Sequence, residues 1–389
     1  MLFTKTEYKE RLIKVQTKMQ KKGIDLLISS DPANMNYLSG YDAHSFYMPQ
    51  CLLIHIKEEE PICFVREQDA GGAVINTNIN EKNIIKYPEK YIHTPPAHPY
   101  EFLVKIIKDR KWDNLSIGLE KDCHYFTATC CEKIVSGLPN ARIKDAEFLV
   151  NWVRCIKSDT EIELMRAAAK IVEKGMKSAI NHIKPGVRQN DAVAEIQKSL
   201  ISGTPEFGGD YAGIVPMLPT GNGTSASHLT WTEEKFIKGE ATIIELAGVY
   251  KKYHCPMART VLLGKPDQKK IDTMKATNEA LDAGISEIKP GKTCDEVAQK
   301  FWKILDKYGI KKSSRTGYSI GIGYPPDWGE HTLNIQKGDK TILQPNVTFH
   351  MIAVMQFGNW GVESSEAIRV TEKGYELFCK FSRELHIKG

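Results

Sequence analysis

The chain has 389 residues, of which 41% are hydrophobic and 26% are charged, as expected for a globular protein long enough for two domains. Its apolar runs, such as 243–249, are far shorter than the roughly 20 residues of a membrane helix, which argues against a membrane protein. The net charge of +5 is spread over isolated lysines and lysine pairs, so nucleic acid is not an expected partner.

The N-terminal sequence MLFTKTEYKERL is charged and lacks the apolar stretch of a signal peptide, so we expect a cytoplasmic protein. Nine cysteines are scattered without CxxC spacing, and Cys130 and Cys131 are adjacent, which is poor geometry for a mutual disulfide. We therefore expect reduced thiols and no cysteine-ligated metal.

The first part of the chain alternates between helical and strand-like patterns. Apolar residues at helical spacing over residues 4–22 predict a helix that ends at Gly23. The segments that follow predict buried strands around a helix near Glu101–Lys108; the strand segments are IDLLIS, CLLIHI, ICFV and LSIGL. The pattern changes near Asn151, so we predict an α/β domain over 1–153 and a second domain over 154–389.

The second domain is predicted to contain two copies of one unit. Ser158 and Glu161 form a capping-box pattern at the start of a long amphipathic helix. The segment IKPGVRQNDAVAEI, which begins at Ile183, is repeated by IKPGKTCDEVAQKF, which begins at Ile288, with a second capping box at Thr293 and Glu296.

Each copy ends in a predicted strand hairpin. The first hairpin turns at Lys251 and Lys252, and the second turns near Gly358. Two such copies related by a pseudo-twofold axis combine their hairpins into one curved antiparallel sheet with the helices outside. We expect a cleft at its centre.

The alternating N-terminal domain, the helix in NWVRCIKSDTEIELMRAAAKI and the duplicated IKPG units together resemble the creatinase, prolidase and methionine aminopeptidase family over essentially the whole chain. The resemblance implies a creatinase-type N-terminal domain, a C-terminal pita-bread domain, and an active site on the concave face of the sheet. It also implies a homodimer, as is common for this fold.

Peptidases of that family hold two metal ions with two Asp, one His and two Glu. Matched on the Arg259–Thr260 pair and on the GYSIGIG and LQPN segments, four of these positions fall on Glu245, Pro256, Tyr318 and Ile352, and the last falls near Ser365, between Glu363 and Glu366. Because proline and isoleucine offer no metal ligand, we expect no catalytic metal pair and no other cofactor.

The segments GYSIGIGYPPDWGEH, LQPNVTFHMI and FGNWGVESSEAIRVTE resemble the ectoine hydrolase branch of the family. This resemblance implies a metal-independent hydrolase that opens the cyclic amidine of ectoine to N-acetyl-L-2,4-diaminobutyrate. Three alternatives stay open: a creatinase-like amidinohydrolase, an Xaa-Pro dipeptidase that needs metal, and a non-catalytic binding protein.

Amidine hydrolysis needs a carboxylate for the cation, a nucleophile or base, and a proton donor for the departing nitrogen. Glu245 lies in the apolar strand TIIELAG, where a charge is costly without a purpose, so we assign it as nucleophile or base. A structural ion pair of Glu245 with Arg259 is the alternative.

His228 lies at the position of the family's substrate-facing histidine, and we assign it proton transfer; a surface-loop histidine is the alternative. Glu363 is the third catalytic candidate.

Eight further residues are predicted to bind the small-molecule substrate. Arg259 would hold a substrate carboxylate. His350 lies two residues before Ile352 on the same strand face, although a core histidine is an equal alternative. Aromatic walls, a glycine-flanked aspartate and a second glutamate complete the set: Tyr318, Tyr324, Trp328, Trp360, Asp210 and Glu366.

Overall fold

The computed structural model describes residues 2–389, which divide into two compact units between Arg154 and Cys155. The first unit alternates helices and short strands. In chain order these are α1 (Lys5–Lys22), β1 (Leu26–Ser29), α2 (Pro32–Ser39), β2 (Cys51–His55), β3 (Ile62–Arg66), α3 (Ala70–Asn76), β4 (Ile84–Tyr87), α4 (Pro99–Asp109), β5 (Ser116–Leu119), α5 (Ala128–Gly137), β6 (Arg142–Asp145) and α6 (Leu149–Arg154).

The strands of the first unit form one mixed sheet in the order β4-β3-β2-β1-β5-β6. β1 and β5 are parallel neighbours and are fully buried, which is why their sequences are continuous apolar runs rather than alternating ones. α1 begins after Thr4, whose hydroxyl accepts the Glu7 N–H at 3.2 Å, and ends at Gly23 with a φ of 62°. The predicted first helix and its end are confirmed.

The second unit contains two long-helix pairs and most of the long strands. In chain order its elements are α7 (Asp159–His182), α8 (Gln189–Ser202), β7 (Ala241–Tyr250), β8 (Tyr253–Leu263), α9 (Gln268–Ser286), α10 (Cys294–Lys307), β9 (Gly317–Tyr324), β10 (Asp327–Asn334), β11 (Thr348–Phe357), β12 (Trp360–Val370), β13 (Tyr375–Leu377) and β14 (His386–Lys388).

Both predicted capping boxes are present. Ser158 Oγ accepts the Glu161 N–H at 3.3 Å while the Glu161 carboxylate accepts the Ser158 N–H at 2.8 Å. Thr293 and Glu296 make the same reciprocal pair at 3.2 and 2.8 Å, so α7 and α10 begin where the sequence predicts.

The second unit repeats one arrangement of helices and strands. α7 packs on the β7–β8 hairpin, and α9 packs on the β11–β12 hairpin. The first hairpin turns at Lys251 and Lys252, both with positive φ. Strands β8, β9, β11 and β12 lie in one curled sheet that is largely antiparallel, so the predicted fold class, a mixed α/β chain with a curved antiparallel sheet and outer helices, is confirmed.

The length and polarity of the helices bear on whether the protein crosses a membrane. Within residues 2–389, every helix is too short or too polar to cross a lipid bilayer.

Candidate active site

A small pocket in the second unit brings together the three residues predicted to be catalytic. Its volume is about 60 Å³, several times the space that one water molecule occupies. The walls come from β7, β11, β12 and the loop 217–228, and they are formed by Met217, Pro219, Ala226, Ser227, His228, Ile243, Glu245, Ile352, Val354, Gln356 and Glu363.

Glu245 lies in the middle of β7, and its residue is only 8% exposed. Its backbone N–H donates to the Met217 carbonyl at 3.0 Å and its carbonyl accepts the Met217 N–H at 2.8 Å, which fixes the strand. Among residues 2–389, no group donates a hydrogen bond to its carboxylate. Burial, and then the charges of Glu363 and Asp327, raise the pKa of Glu245 well above its ordinary value.

Glu363 lies on β12 and is 6% exposed. Thr260 Oγ1 accepts its backbone N–H at 2.8 Å and donates to its carbonyl at 2.9 Å, so the backbone is held on both sides. Carboxylate atom Oε1 is buried without a hydrogen-bond partner in the described part of the chain. Burial raises the pKa of Glu363 to about 7, although the charge of Lys312 acts in the opposite direction.

The two carboxyl groups determine the electrostatic character of the pocket. Both are buried, and burial is the main reason that the pKa of each is raised; the charge of Glu363 raises the pKa of Glu245 further. A bound cation would relieve this repulsion. The pocket is therefore suited to a small, positively charged ligand with an apolar surface.

His228 lines the same pocket from an exposed loop. Its φ of 64° gives the backbone a left-handed turn. The loop is anchored to the sheet because Thr224 Oγ1 accepts the Gly361 N–H at 2.9 Å and Gln356 Nε2 donates to Ser227 Oγ at 3.2 Å. The loop is thus fixed against the sheet, and His228 lines the pocket that contains the two carboxyls while remaining exposed.

The structure gives Arg259, predicted to hold a substrate carboxylate, a set of protein partners instead. The residue is fully buried, and its guanidinium donates to Glu366 Oε1 at 2.9 Å and to the carbonyls of Ser365 and Ser382 at 2.6 and 2.7 Å. It does not pair with Glu245 either, since Glu245 faces Ala258 across the hairpin.

Glu366, also predicted to bind substrate, likewise has protein partners. It is 2% exposed, pairs with Arg259, and lies 3.3 Å from Arg383 Nε. Asp210 was also predicted to bind substrate, but its carboxylate forms an ion pair with the buried ammonium of Lys252 at 2.7 Å and lies outside the pocket. In both cases the charge already has a protein partner.

His350 is fully buried and does not line the pocket, and its predicted contact with substrate stays a prediction. Its Nδ1 lies 3.0 Å from Tyr318 Oη and its Nε2 lies 2.7 Å from Ser365 Oγ. Burial and the charge of Arg259 lower its pKa to about 3, so the ring is neutral at physiological pH.

The four predicted aromatic walls lie outside the pocket lining. Tyr324 and Trp328 are buried in the core, and Trp360 stacks on Phe357 at the β11–β12 turn with 4.6 Å between ring centroids. Tyr318 pairs with His350 and so lies on the sheet face that carries Ile352 of the pocket, and burial and then the charge of Glu245 raise its pKa. Tyr324, Trp328 and Trp360 are placed elsewhere, and their wall role stays a prediction.

Sequence reasoning did not assign roles to Lys312 or to the Ser227–Gln356 pair. Lys312 donates to the carbonyls of Ser314 and Arg315, both at 3.0 Å, and its charge acts on Glu363. The one sequence signal for Lys312 is that its loop leads directly into the GYSIGIG strand.

The site does not fit the metal pair of the related peptidases. Of the five matched positions, Ile352 and Ser365 face each other across β11 and β12, and Pro256 faces Ala247. Neither Pro256 nor Ile352 has a donor atom in its side chain. In the described range 2–389, no group of three His, Cys, Asp or Glu side chains is arranged to hold a metal ion.

Comparison with known proteins assigns the family. The model of metallopeptidase family M24 matches residues 163–372, and the creatinase/prolidase N-terminal domain matches residues 11–156. A protein named ectoine hydrolase from Halomonas elongata is 45% identical over 99% of this chain and 98% of its own length. The resemblance inferred from the motifs is thereby confirmed.

More distant relatives share the fold. An Xaa-Pro dipeptidase from Pyrococcus furiosus is 22% identical over 97% of this chain and 99% of its own length. The crystal structure of a prolidase from Thermococcus sibiricus superposes with a TM-score of 0.84 at 20% identity, covering 98% of this chain and 99% of that one. The chain therefore belongs to metallopeptidase family M24, with a creatinase/prolidase N-terminal domain, and is a hydrolase of that family.

Proposed function

We propose that this protein hydrolyses the cyclic amidine of ectoine to N-acetyl-L-2,4-diaminobutyrate without a metal ion. The relative from Halomonas elongata, whose name states this substrate, supports the proposal at 45% identity over nearly the whole chain. The observation that carries it is the pair Glu245 and Glu363, two buried carboxyls that line one pocket and that a bound cation would neutralise.

The pocket matches the chemistry of an amidinium ring. The delocalised positive charge would pair with Glu245 and Glu363, which removes the repulsion between them. The remaining wall is mostly apolar, with Ile243, Ile352 and Val354 available to pack against the ring carbons.

The amidinium carbon is already electrophilic because the ring nitrogens share the positive charge. Glu245 either attacks this carbon through its carboxylate oxygen or removes a proton from an attacking water molecule. In the water route the water oxygen bonds to the carbon, Glu245 takes a water proton, the ring carbon–nitrogen bond breaks, and His228 supplies the proton that the departing nitrogen takes. In the covalent route the bond to Glu245 forms first and the same ring bond breaks; a water molecule then adds to the carbon, and the bond between that carbon and Glu245 breaks to free the carboxylate. Both routes use the same residues.

No step of this scheme requires a Lewis acid. The positions that hold metal in the related peptidases carry Pro256, Tyr318, Ile352 and Ser365 beside Glu245. Metal independence is supported by this change of donor chemistry, since a bridged metal pair needs several converging ligands.

Substrate conversion tests the proposal directly. Purified protein is incubated separately with ectoine, creatine and an Xaa-Pro dipeptide, and products are followed by mass spectrometry. We expect N-acetyl-diaminobutyrate from ectoine alone. Product from creatine or the dipeptide, with none from ectoine, contradicts the assignment.

Glu245→Gln provides the residue-level test. We expect loss of ectoine turnover with the protein still folded, because the amide is nearly isosteric but neither nucleophilic nor basic. Glu233→Gln, at an exposed position in the loop before β7, is the matched control. Normal turnover by Glu245→Gln would falsify its catalytic role.

A homodimer in the cytoplasm remains part of the proposal. Static light scattering of the purified protein distinguishes a dimer near twice 43.8 kDa from a monomer.

A further inference from the structure

A continuous chain of hydrogen bonds crosses the sheet beside Glu245. The Trp328 Nε1–H donates to Tyr318 Oη at 2.9 Å, and Tyr318 Oη lies 3.0 Å from His350 Nδ1. On the other side of the ring, His350 Nε2 lies 2.7 Å from Ser365 Oγ, which accepts the Ala258 N–H at 2.7 Å. Tyr318 and Ser365 occupy two of the five positions that hold metal in related peptidases.

The three groups of this hydrogen-bond chain carry one proton more than the hydrogen bonds between them require. Neutral His350 carries one ring proton, and Tyr318 and Ser365 each carry one hydroxyl proton. Only two hydrogen bonds join these three groups, so one hydroxyl proton must find a partner elsewhere. Its position depends on which nitrogen of His350 is protonated.

One arrangement leaves the extra proton on Ser365. In that case His350 donates from Nε2, and the Ser365 hydroxyl already accepts two hydrogen bonds. Ser365 is fully buried, and no acceptor for its proton is present among residues 2–389. An unsatisfied buried donor is costly, which disfavours this arrangement.

The other arrangement leaves the extra proton on Tyr318. Ser365 donates to His350 Nε2, and His350 Nδ1–H donates to Tyr318 Oη, which also accepts from Trp328. Both acceptor positions of the phenol oxygen are then filled, so its own proton is available to a third group. No described residue accepts this proton either, but Tyr318, unlike Ser365, is partly exposed. Tyr318 pairs with His350 across β9 and β11, so its side chain lies on the sheet face that carries Ile352 of the pocket wall, where a bound ligand can accept the proton.

We propose that the Tyr318 hydroxyl is a fixed hydrogen-bond donor to the oxygen that becomes the acetyl carbonyl of the product. This inference rests on the proposed function. Negative charge builds on that oxygen when the hydroxyl of the tetrahedral intermediate gives up its proton, before its lone pair forms the carbonyl and expels the ring nitrogen, and a donor oriented in advance stabilises the charge without reorganisation. Tyr318 keeps its proton throughout, and His350 and Ser365 are positioning residues that direct it.

A double-mutant cycle tests whether the hydrogen-bond chain acts through the Tyr318 hydroxyl. We expect Tyr318→Phe to lower kcat about 100-fold with little change in KM, as when an oxyanion-hole donor is removed. Ser365→Ala should lower kcat about tenfold in the unsubstituted protein but not at all in the Tyr318→Phe background, since it acts through that hydroxyl. An equal loss in both backgrounds, or normal kcat in Tyr318→Phe, overturns the proposal.

Matched controls separate this role from packing. Ser364→Ala removes the neighbouring buried serine, whose hydroxyl makes no hydrogen bond in the described residues, and should leave kcat unchanged. Tyr250→Phe removes a phenol at the turn end of β7 and should also leave kcat unchanged. Loss of activity in either control as large as in its partner variant contradicts the proposal.

The tautomer of His350 provides a test that needs no substrate. Long-range ¹H–¹⁵N correlation spectra of the unsubstituted protein, assigned with His350→Gln, should show a neutral ring protonated at Nδ1. Protonation at Nε2 contradicts the donor assignment, even where ectoine is turned over normally. Absence of ectoine turnover in the unsubstituted protein instead contradicts the proposed function, and the catalytic role of Tyr318 with it.

Discussion

Replacing Glu363 by glutamine should stabilise the protein at alkaline pH. Burial raises the pKa of Glu363 from an ordinary value of 4.5 to about 7, so the folded protein binds this proton more tightly than the unfolded chain does. The contribution of Glu363 to the free energy of unfolding is therefore fully present below about pH 4.5, and it is lost as pH rises through 7. The difference corresponds to about 3 kcal/mol, because each pKa unit is worth about 1.4 kcal/mol.

Glutamine cannot ionise, so Glu363→Gln does not lose this free energy of unfolding at alkaline pH. For a unit of this size, 1 kcal/mol shifts Tm by about 2–4 °C, which gives a predicted rise of roughly 6–12 °C at pH 8. At pH 5, where Glu363 is protonated in the folded protein, the two proteins should differ little.

Calorimetric unfolding scans from pH 5 to pH 8 measure this difference. Glu233→Gln, at an exposed position, is the control and should follow the unsubstituted protein at every pH. The reasoning about the paired carboxyls is refuted if Glu363→Gln has the same Tm as the unsubstituted protein at pH 8, or a lower one.

Two further variants separate catalytic from structural residues. His228→Ala should lower kcat by about 100-fold or more with Tm nearly unchanged, because the exposed imidazole transfers a proton and packs against little; the control His93→Ala should keep full activity. Arg259→Ala should lower stability by about 3 kcal/mol because it leaves Glu366 buried without its main partner. Its folded fraction should retain the normal KM for ectoine, and a large rise in KM would instead show that Arg259 binds substrate.

The fold was largely predictable because its signals are local. Capping boxes at Ser158 and Thr293 need only residues three positions apart, and the repeated IKPG segments mark the duplication directly. The pocket residues Glu245 and His228 were also accessible, since a carboxylate in an apolar strand and a histidine in a matched loop are visible along the chain.

The partners of the buried charges were not predictable in this way. From the sequence, Arg259 was assigned to a substrate carboxylate, with Glu245 on the neighbouring hairpin strand as the alternative partner. Its partner in the structure is Glu366, which lies on a different strand. Only the packing of β8 against β12 in the folded structure decides which carboxylate Arg259 meets. His350 shares a strand face with Ile352, but face alone does not show that Tyr318 and Ser365 enclose its ring.

The central claim is that side-chain charge performs the work that a metal pair performs in related peptidases. The most direct measurement is the rate of ectoine hydrolysis before and after exhaustive treatment with a strong chelator, with elemental analysis of the same samples. We predict an unchanged rate with metal content far below one ion per chain. Loss of activity on chelation, restored by manganese or cobalt, would contradict the account.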